Sequence, residues 1–128
     1  MAMENLREAA LRAREHAYAP YSGFLVGAAV QVADGRVFVG CNVENSSSGL
    51  TVCAERNAIA AAIAAGARQF SALYVTADSR SPVAPCGACR QVAAEFKIPL
   101  IIMSNLNGEE RRCSWQELLP YAFSAEMM

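Results

Sequence analysis

The stretch Val52-Cys53-Ala54-Glu55-Arg56-Asn57-Ala58-Ile59-Ala60-Ala61-Ala62-Ile63-Ala64-Ala65-Gly66 decides how the chain folds. It reads as a helix over residues 52–65, built almost wholly of small side chains and stopped by Gly66 at a C-terminal capping position. So much alanine predicts close packing against a sheet or another helix. Two apolar runs precede it, residues 24–32 and 36–43, separated by the hairpin signal Asp34-Gly35. In the second run Val37, Val39, Cys41 and Val43 alternate with Phe38, Gly40, Asn42 and Glu44. Two polar side chains, Asn42 and Glu44, therefore leave the end of an expected buried strand on one face.

The same reading extends to both ends. Residues 4–17 carry Leu6, Ala10, Ala13 and Ala17 at helical spacing, and Pro20-Tyr21-Ser22-Gly23 ends that helix. After Gly66 come an expected central strand over residues 70–76, a loop over 78–85 and a helix over 86–97 closed by Pro99. A buried strand over residues 100–104 and a turn at Asn107-Gly108 follow, and Ser114-Trp115-Gln116-Glu117 forms a capping box that opens a short last helix. The element order is α, β-hairpin, α, β, α, β, β, α, which predicts one mixed sheet with helices packed on it in an α/β domain.

Composition narrows the function classes. The chain has 128 residues, 54% of them hydrophobic, which matches one ordinary domain with an ample core. Eleven Lys+Arg stand against 12 Asp+Glu, giving a net charge of −1. That balance argues against a surface for polymeric nucleic acid, which needs clustered positive charge. Residues 1–14 lack the apolar segment of a secretory signal, and no apolar run approaches the ~20 residues a membrane span requires. Five cysteines is an odd number. Without an export signal, it reads as metal or catalytic use in the cytoplasm, not as a disulfide framework.

Three of the cysteines are placed for chemistry. Cys53 opens the helix at 52–65, while Cys86 and Cys89 share a face at the start of the helix at 86–97. Helix starts favour thiolates, and both follow loops that leave strands, where open α/β sheets place ligands. Three converging thiolates would hold zinc and leave a fourth position open for water, the mark of a catalytic ion. Glu55 is placed to take that water's proton. Zinc with three thiolates carries net negative charge, so Arg56 or Arg90 is expected to donate hydrogen bonds to the sulfurs. Two other readings remain open on the residues alone. A structural zinc module would need a fourth ligand such as Cys41 or Cys113, and a dithiol oxidoreductase would use Cys86 and Cys89 without metal. His16, the lone histidine, falls on the polar side of the first helix.

Thr51-Val52-Cys53-Ala54-Glu55-Arg56 together with Pro85-Cys86-Gly87-Ala88-Cys89-Arg90-Gln91 resembles the small, tetrameric, zinc-dependent cytidine deaminases. Residues 19–24, 26–29, 40–45 and 118–123 extend the resemblance over nearly the whole chain. The resemblance implies a single cytidine deaminase-like domain over residues 1–128. Its sheet would have about five strands, with helices on both faces in three layers. It also implies hydrolytic deamination of free cytidine and 2′-deoxycytidine to uridine and 2′-deoxyuridine plus ammonia, in pyrimidine salvage.

Cys53, Cys86 and Cys89 would hold one zinc per subunit, and Glu55 would shuttle protons. Asn42 and Glu44 would bind the ribose hydroxyls, Phe24 would pack on the pyrimidine, and the backbone of Ala54 would help hold the base. Phe123 would close the active site of a neighbouring subunit in a homotetramer. Neither polymeric nucleic acid nor membrane is an implied partner. Ser48 stands where that family usually has a tyrosine. A modified cytosine nucleoside or related antibiotic is the alternative substrate class.

Overall fold

A computed structural model describes residues 2–128; Met1, the first residue of the expected single domain, lies outside them. The chain runs α1 (Ala2–Arg14), β1 (Val26–Val32), β2 (Val37–Cys41), α2 (Ala54–Ala64), β3 (Phe70–Ala77), α3 (Gly87–Glu95), β4 (Leu100–Asn105), β5 (Glu110–Cys113) and α4 (Trp115–Leu118). Short 3-10 turns cover Ser48–Leu50 and Ala125–Met127. The five strands form one sheet in the order β2-β1-β3-β4-β5. Only the β3–β4 pair is parallel, and α3 makes the crossover between them.

Strand alternation sorts the core into two halves. Ala28, Val30 and Val32 on β1, Leu73 and Val75 on β3, and Ile101 and Met103 on β4 pack with Ala54, Ala58, Ile59 and Ala62 of α2 and Ala93 of α3. The intervening residues Ala29, Ala72, Tyr74 and Ile102 face the other way and meet Leu6 and Ala10 of α1. Helices on both faces of a mixed five-stranded sheet are what the sequence pattern and the family resemblance led us to expect. Central β3, buried on both sides, explains the near-continuous apolar reading of residues 70–76.

At Gly40 the alanine-rich helix meets the sheet with no side chain between. A Cβ at Gly40 would lie 2.4 Å from Ala58 N and 2.5 Å from Ala54 O, so β2 and the first turns of α2 touch backbone to backbone. Asn57 reinforces the contact by donating Nδ2 to Cys41 O at 2.8 Å. At the far end of α2, Gly66 adopts φ +96° as its capping position predicts. The capping box at Ser114 and Glu117 is also present.

One expectation needs correcting. The strand carrying Cys41 is not buried: β2 forms the edge of the sheet, every residue of it is at least partly accessible, and Val39 is 46% exposed. Its apolar alternation reflects one covered face and a half-open outer one. Asn42 and Glu44 lie just past its end, where Val43 bridges both Tyr18 and Val52.

On the α1 face, a polar clamp ties distant elements together. Arg7 Nη1 donates to the Tyr74 hydroxyl at 3.1 Å, and that hydroxyl donates to Glu110 at 2.6 Å. The clamp fixes α1 and β5 to the middle of the sheet.

Gly40→Ala is expected to lower the urea-unfolding stability by about 1–3 kcal/mol, the usual cost of forcing volume into packed backbone. Gly49→Ala, whose Cβ would meet nothing within 4 Å, should stay within about 0.5 kcal/mol of the parent.

Candidate active site

Two helix starts converge at one end of the sheet. Cys53 is the N-cap of α2 and Cys86 the N-cap of α3, both in extended backbone conformation. Cys89 lies one turn into α3 and is fully buried. Cys53 Sγ is 3.6 Å from Cys86 Sγ, and Cys86 Sγ is 3.5 Å from Cys89 Sγ. All three sulfurs lie within 4.8 Å of one another. Among the described residues, this is the one group of three or more Cys, His or acidic side chains arranged to hold a metal ion.

The protonation pattern shows why this cluster fits a cation. Hydrogen bonds from Cys89, Arg56 and Cys86 outweigh burial and pull the Cys53 thiol down to about 5. Cys89 is pushed up, first by the hydrogen bond it gives Cys53, then by burial and by the negative Glu55 nearby. Without positive charge among them, the sulfurs share protons and only one ionises readily. A divalent soft-to-borderline cation replaces those protons and stabilises three thiolates, so the donor set fits zinc. Three ligands also leave a tetrahedral ion one position for water or substrate.

Glu55 occupies the second position of α2 and is 4% exposed. Burial raises its carboxyl to about 7 and the negative Cys53 adds to the rise, while its own backbone N–H and Arg56 oppose it. Such a carboxyl gains and loses a proton near neutrality, as a proton shuttle requires.

The two arginines separate. Arg56 Nη2 reaches Cys53 Sγ at 3.6 Å and Thr51 O at 3.3 Å, as expected of a donor to the sulfurs. Its Nε is buried and has no partner among the described residues. Arg90, the alternative donor, is engaged elsewhere. Its Nε donates to Pro85 O at 2.8 Å and its Nη1 to Leu118 O at 3.0 Å, so these donors go to main-chain carbonyls. A residue one step after Cys89 on a helix points about 100° away from it, which turns Arg90 from the sulfurs.

A cleft of about 270 Å³ opens onto the cluster, lined by Phe24, Asn42, Glu44, Ala54, Glu55 and Cys86, with Cys53 also on its wall. The side chains marked by the sequence for sugar, base and metal thus meet in one place. Asn42 is buried, accepts from Val26 N at 2.9 Å and donates to Phe24 O at 2.8 Å. Glu44 accepts from the backbone N–H groups of Tyr21 and Ser22 at 3.0 and 3.1 Å and from the Ser22 hydroxyl. These hydrogen bonds, the Ser22 hydroxyl first, hold its carboxyl below the usual range. Phe24 is 41% exposed on the cleft wall.

Ser22, Thr51, Val83 and Ala84 also line the cleft and were missed in the sequence. The short serine-turn position of Ser22 was a usable signal; Val83 and Ala84 enter only through the path of the 78–85 loop. Phe123 does not join this cleft. It lies exposed in the C-terminal tail, its carbonyl accepting from Gln91 Nε2 at 2.8 Å. Ser48 is an exposed residue of the Ser48–Leu50 turn.

Cys41 and Cys113 stand outside the sulfur cluster, on β2 and β5, with Cys113 Sγ turned to Ile101 O at 3.9 Å. A fourth sulfur is thus not at hand, which counts against a closed structural zinc module. Among the described residues, no helix is long and apolar enough to cross a membrane.

This α/β layering, with three clustered sulfurs at two helix starts and a buried carboxyl beside them, matches the ligand and acid–base set of the zinc-dependent deaminases. Residues 2–105 match the model of the cytidine and deoxycytidylate deaminase zinc-binding region, and the chain belongs to that family. It is 49% identical to a cytidine deaminase of Sporosarcina psychrophila over 98% of this chain and 94% of the relative. It is 48% identical to one from Halalkalibacterium halodurans over 100% of this chain and 98% of the relative. The crystal structure of a cytidine deaminase from Burkholderia pseudomallei superposes with a TM-score of 0.92 at 52% identity, covering 96% of this chain and 100% of that one.

Cys89→Ser is expected to abolish stoichiometric zinc, while Cys41→Ser and Cys113→Ser retain it, as measured by metal analysis after dialysis. Arg56→Ala should retain the site but weaken zinc binding about 10–100-fold in a competition with a chromophoric chelator, the usual effect of losing a partner of a metal ligand.

Proposed function

We propose that this chain is a cytidine deaminase that converts free cytidine and 2′-deoxycytidine, with water, to uridine and 2′-deoxyuridine plus ammonia. The observation that carries this reading is the buried Glu55 beside three clustered sulfurs, at the floor of a cleft that also presents Phe24, Asn42 and Glu44. Cys53, Cys86 and Cys89 hold the zinc, one per chain. When bound, the ion supplies Lewis acidity that lets water act as a nucleophile near neutral pH.

The remaining work falls to the protein's own groups. Glu55 takes a proton from the attacking water and passes it to N3 of the pyrimidine; it then takes the remaining proton from the new C4 hydroxyl and delivers it to the departing amino group as the C4–N bond breaks and the C4=O bond forms. One water is consumed and one ammonia released, so the carboxylate ends as it began. Phe24 offers an aromatic face to the ring. Ala54 lies at the first position of α2, where its backbone N–H has no helical acceptor and is free to donate to the base.

Asn42 has one Nδ2–H and one Oδ1 lone pair beyond its two internal bonds, enough to engage a sugar hydroxyl. The Glu44 carboxylate also has acceptor capacity left for a hydroxyl. Selection for a free nucleoside is supported by the size of the cleft and by the net charge of −1, which gives no grip on a polynucleotide.

Phe123 serves the cleft of another copy in a homotetramer. Its exposure and its place outside its own chain's cleft support this. So does the apolar groove between α2 and α3, where Ile59, Ile63, Val92 and Phe96 leave a surface for a neighbouring subunit. A cytoplasmic setting, where thiols stay reduced, suits the three sulfurs, and pyrimidine salvage is the role that follows.

Glu55→Ala should retain one zinc per chain and lose turnover by at least about 10²–10⁴-fold, read as loss of cytosine absorbance with cytidine and with 2′-deoxycytidine. Near-normal turnover in that variant overturns the proton-shuttle assignment.

A further inference from the structure

We propose that Arg90 is a positioning residue that couples the metal-binding loop to the C-terminal tail. Its guanidinium spans two separate pieces of main chain. Nε holds the carbonyl of Pro85, the residue directly before Cys86, at 2.8 Å. Nη1 holds the carbonyl of Leu118, the last residue of α4, at 3.0 Å. That second carbonyl lies at a helix C-terminus, where acceptors lack intrahelical donors and a cation binds well.

The next residue makes a parallel tie. Gln91 Nε2 donates to Phe123 O at 2.8 Å. The first turn of α3 thus presents Cys86 and Cys89 to the sulfur cluster, and the residues that follow, Arg90 and Gln91, reach the tail. Between the two anchored carbonyls, Leu118 and Phe123, the chain passes Pro120 and turns through Tyr121 at φ 58°, an unfavourable conformation for a residue with a side chain. Such a turn persists only where its flanks are held, and Arg90 and Gln91 hold them.

The consequence is reciprocal. Metal that fixes Cys86 fixes the Pro85 carbonyl, and so favours the arrangement of Arg90 that grips the tail. A gripped tail in turn favours the loop geometry that binds metal. This inference rests on the zinc-dependent reading above and adds to it a path from the ion to the segment bearing Phe123.

Trp115, the chain's single tryptophan, opens α4 beside the tail groove and reports on it. Zinc release to 4-(2-pyridylazo)resorcinol and the change in Trp115 emission on chelation are measured for the parent, Arg90→Ala, Arg90→Lys and Gln91→Ala. The parent is expected to change its emission when stripped. Arg90→Ala should release zinc at least about fivefold faster, the low end of allosteric couplings, and should lose most of the emission change. Arg90→Lys, with a single-headed donor, should fall between. Gln91→Ala, which frees the tail only at Phe123, should speed zinc release less than Arg90→Ala does; release as fast as that of Arg90→Ala overturns the proposal.

A role confined to stability lowers the melting temperature without altering the emission response, and that result overturns the proposal. So does parental zinc release in Arg90→Ala. If Arg90→Ala does not fold, parental behaviour of Arg90→Lys in both measurements is decisive against it. A parent chain that binds no zinc overturns the functional reading and the coupling together. Zinc binding with an indifferent Arg90 overturns the coupling alone.

Discussion

Everything at the site depends on how closely α2 lies against β2. At Gly40 the strand offers no side chain, and the helix backbone at Ala54 and Ala58 fills the space. This fixes the height of the helix start over the sheet, and with it the positions of Cys53 and Glu55. The alanines at 54, 58 and 62 continue the approach along the helix. Burial of small residues contributes little apolar area each, but it permits dense backbone packing, which resists displacement. Larger side chains in that seam would hold the helix away and spread the sulfurs.

Electrostatics then divides the cleft into two regimes. Around the sulfurs, burial and mutual repulsion make the free cluster uncomfortable, and Arg56 with the helix starts supplies only part of the compensation. The same burial keeps the Glu55 carboxyl near neutrality. At the other end of the cleft Glu44 is accessible and gathers three donors from the 21–22 turn, which lower its pKa. Two carboxyl groups on one cleft are therefore shifted in opposite directions because their surroundings differ, one dry and one wet.

Much of this was legible in the linear sequence because the signals were local. The Cys-Ala-Glu and Pro-Cys-Gly-Ala-Cys segments place their side chains within one helical turn each. The alternation ending in Asn42 and Glu44 places both on the cleft face. What stayed hidden depends on contacts between residues far apart in the chain. The strand at 37–41 read as buried, since nothing in its own residues distinguishes an edge from an interior position. The Arg7–Tyr74–Glu110 clamp spans 103 positions and carries no periodic mark. Arg90 read as a sulfur donor from its neighbours in sequence, whereas its geometry answers to Pro85 and Leu118. Val83 and Ala84 reached the cleft only because Val83 N is drawn to Ser104 O at 3.1 Å.

The edge position of β2 also sets where the molecule yields. Asn42 and Glu44 hang from an outer strand whose neighbours, Tyr18, Tyr21 and Val43, are largely solvated. Cys89 and Glu55 instead sit on helix ends pressed into the interior, while Cys86 opens outward. Fraying of an outer strand costs far less than exposing a core, so brief openings are concentrated on the side of Asn42 and Glu44. Motion can then reach that rim of the cleft while Cys89 and Glu55 stay packed.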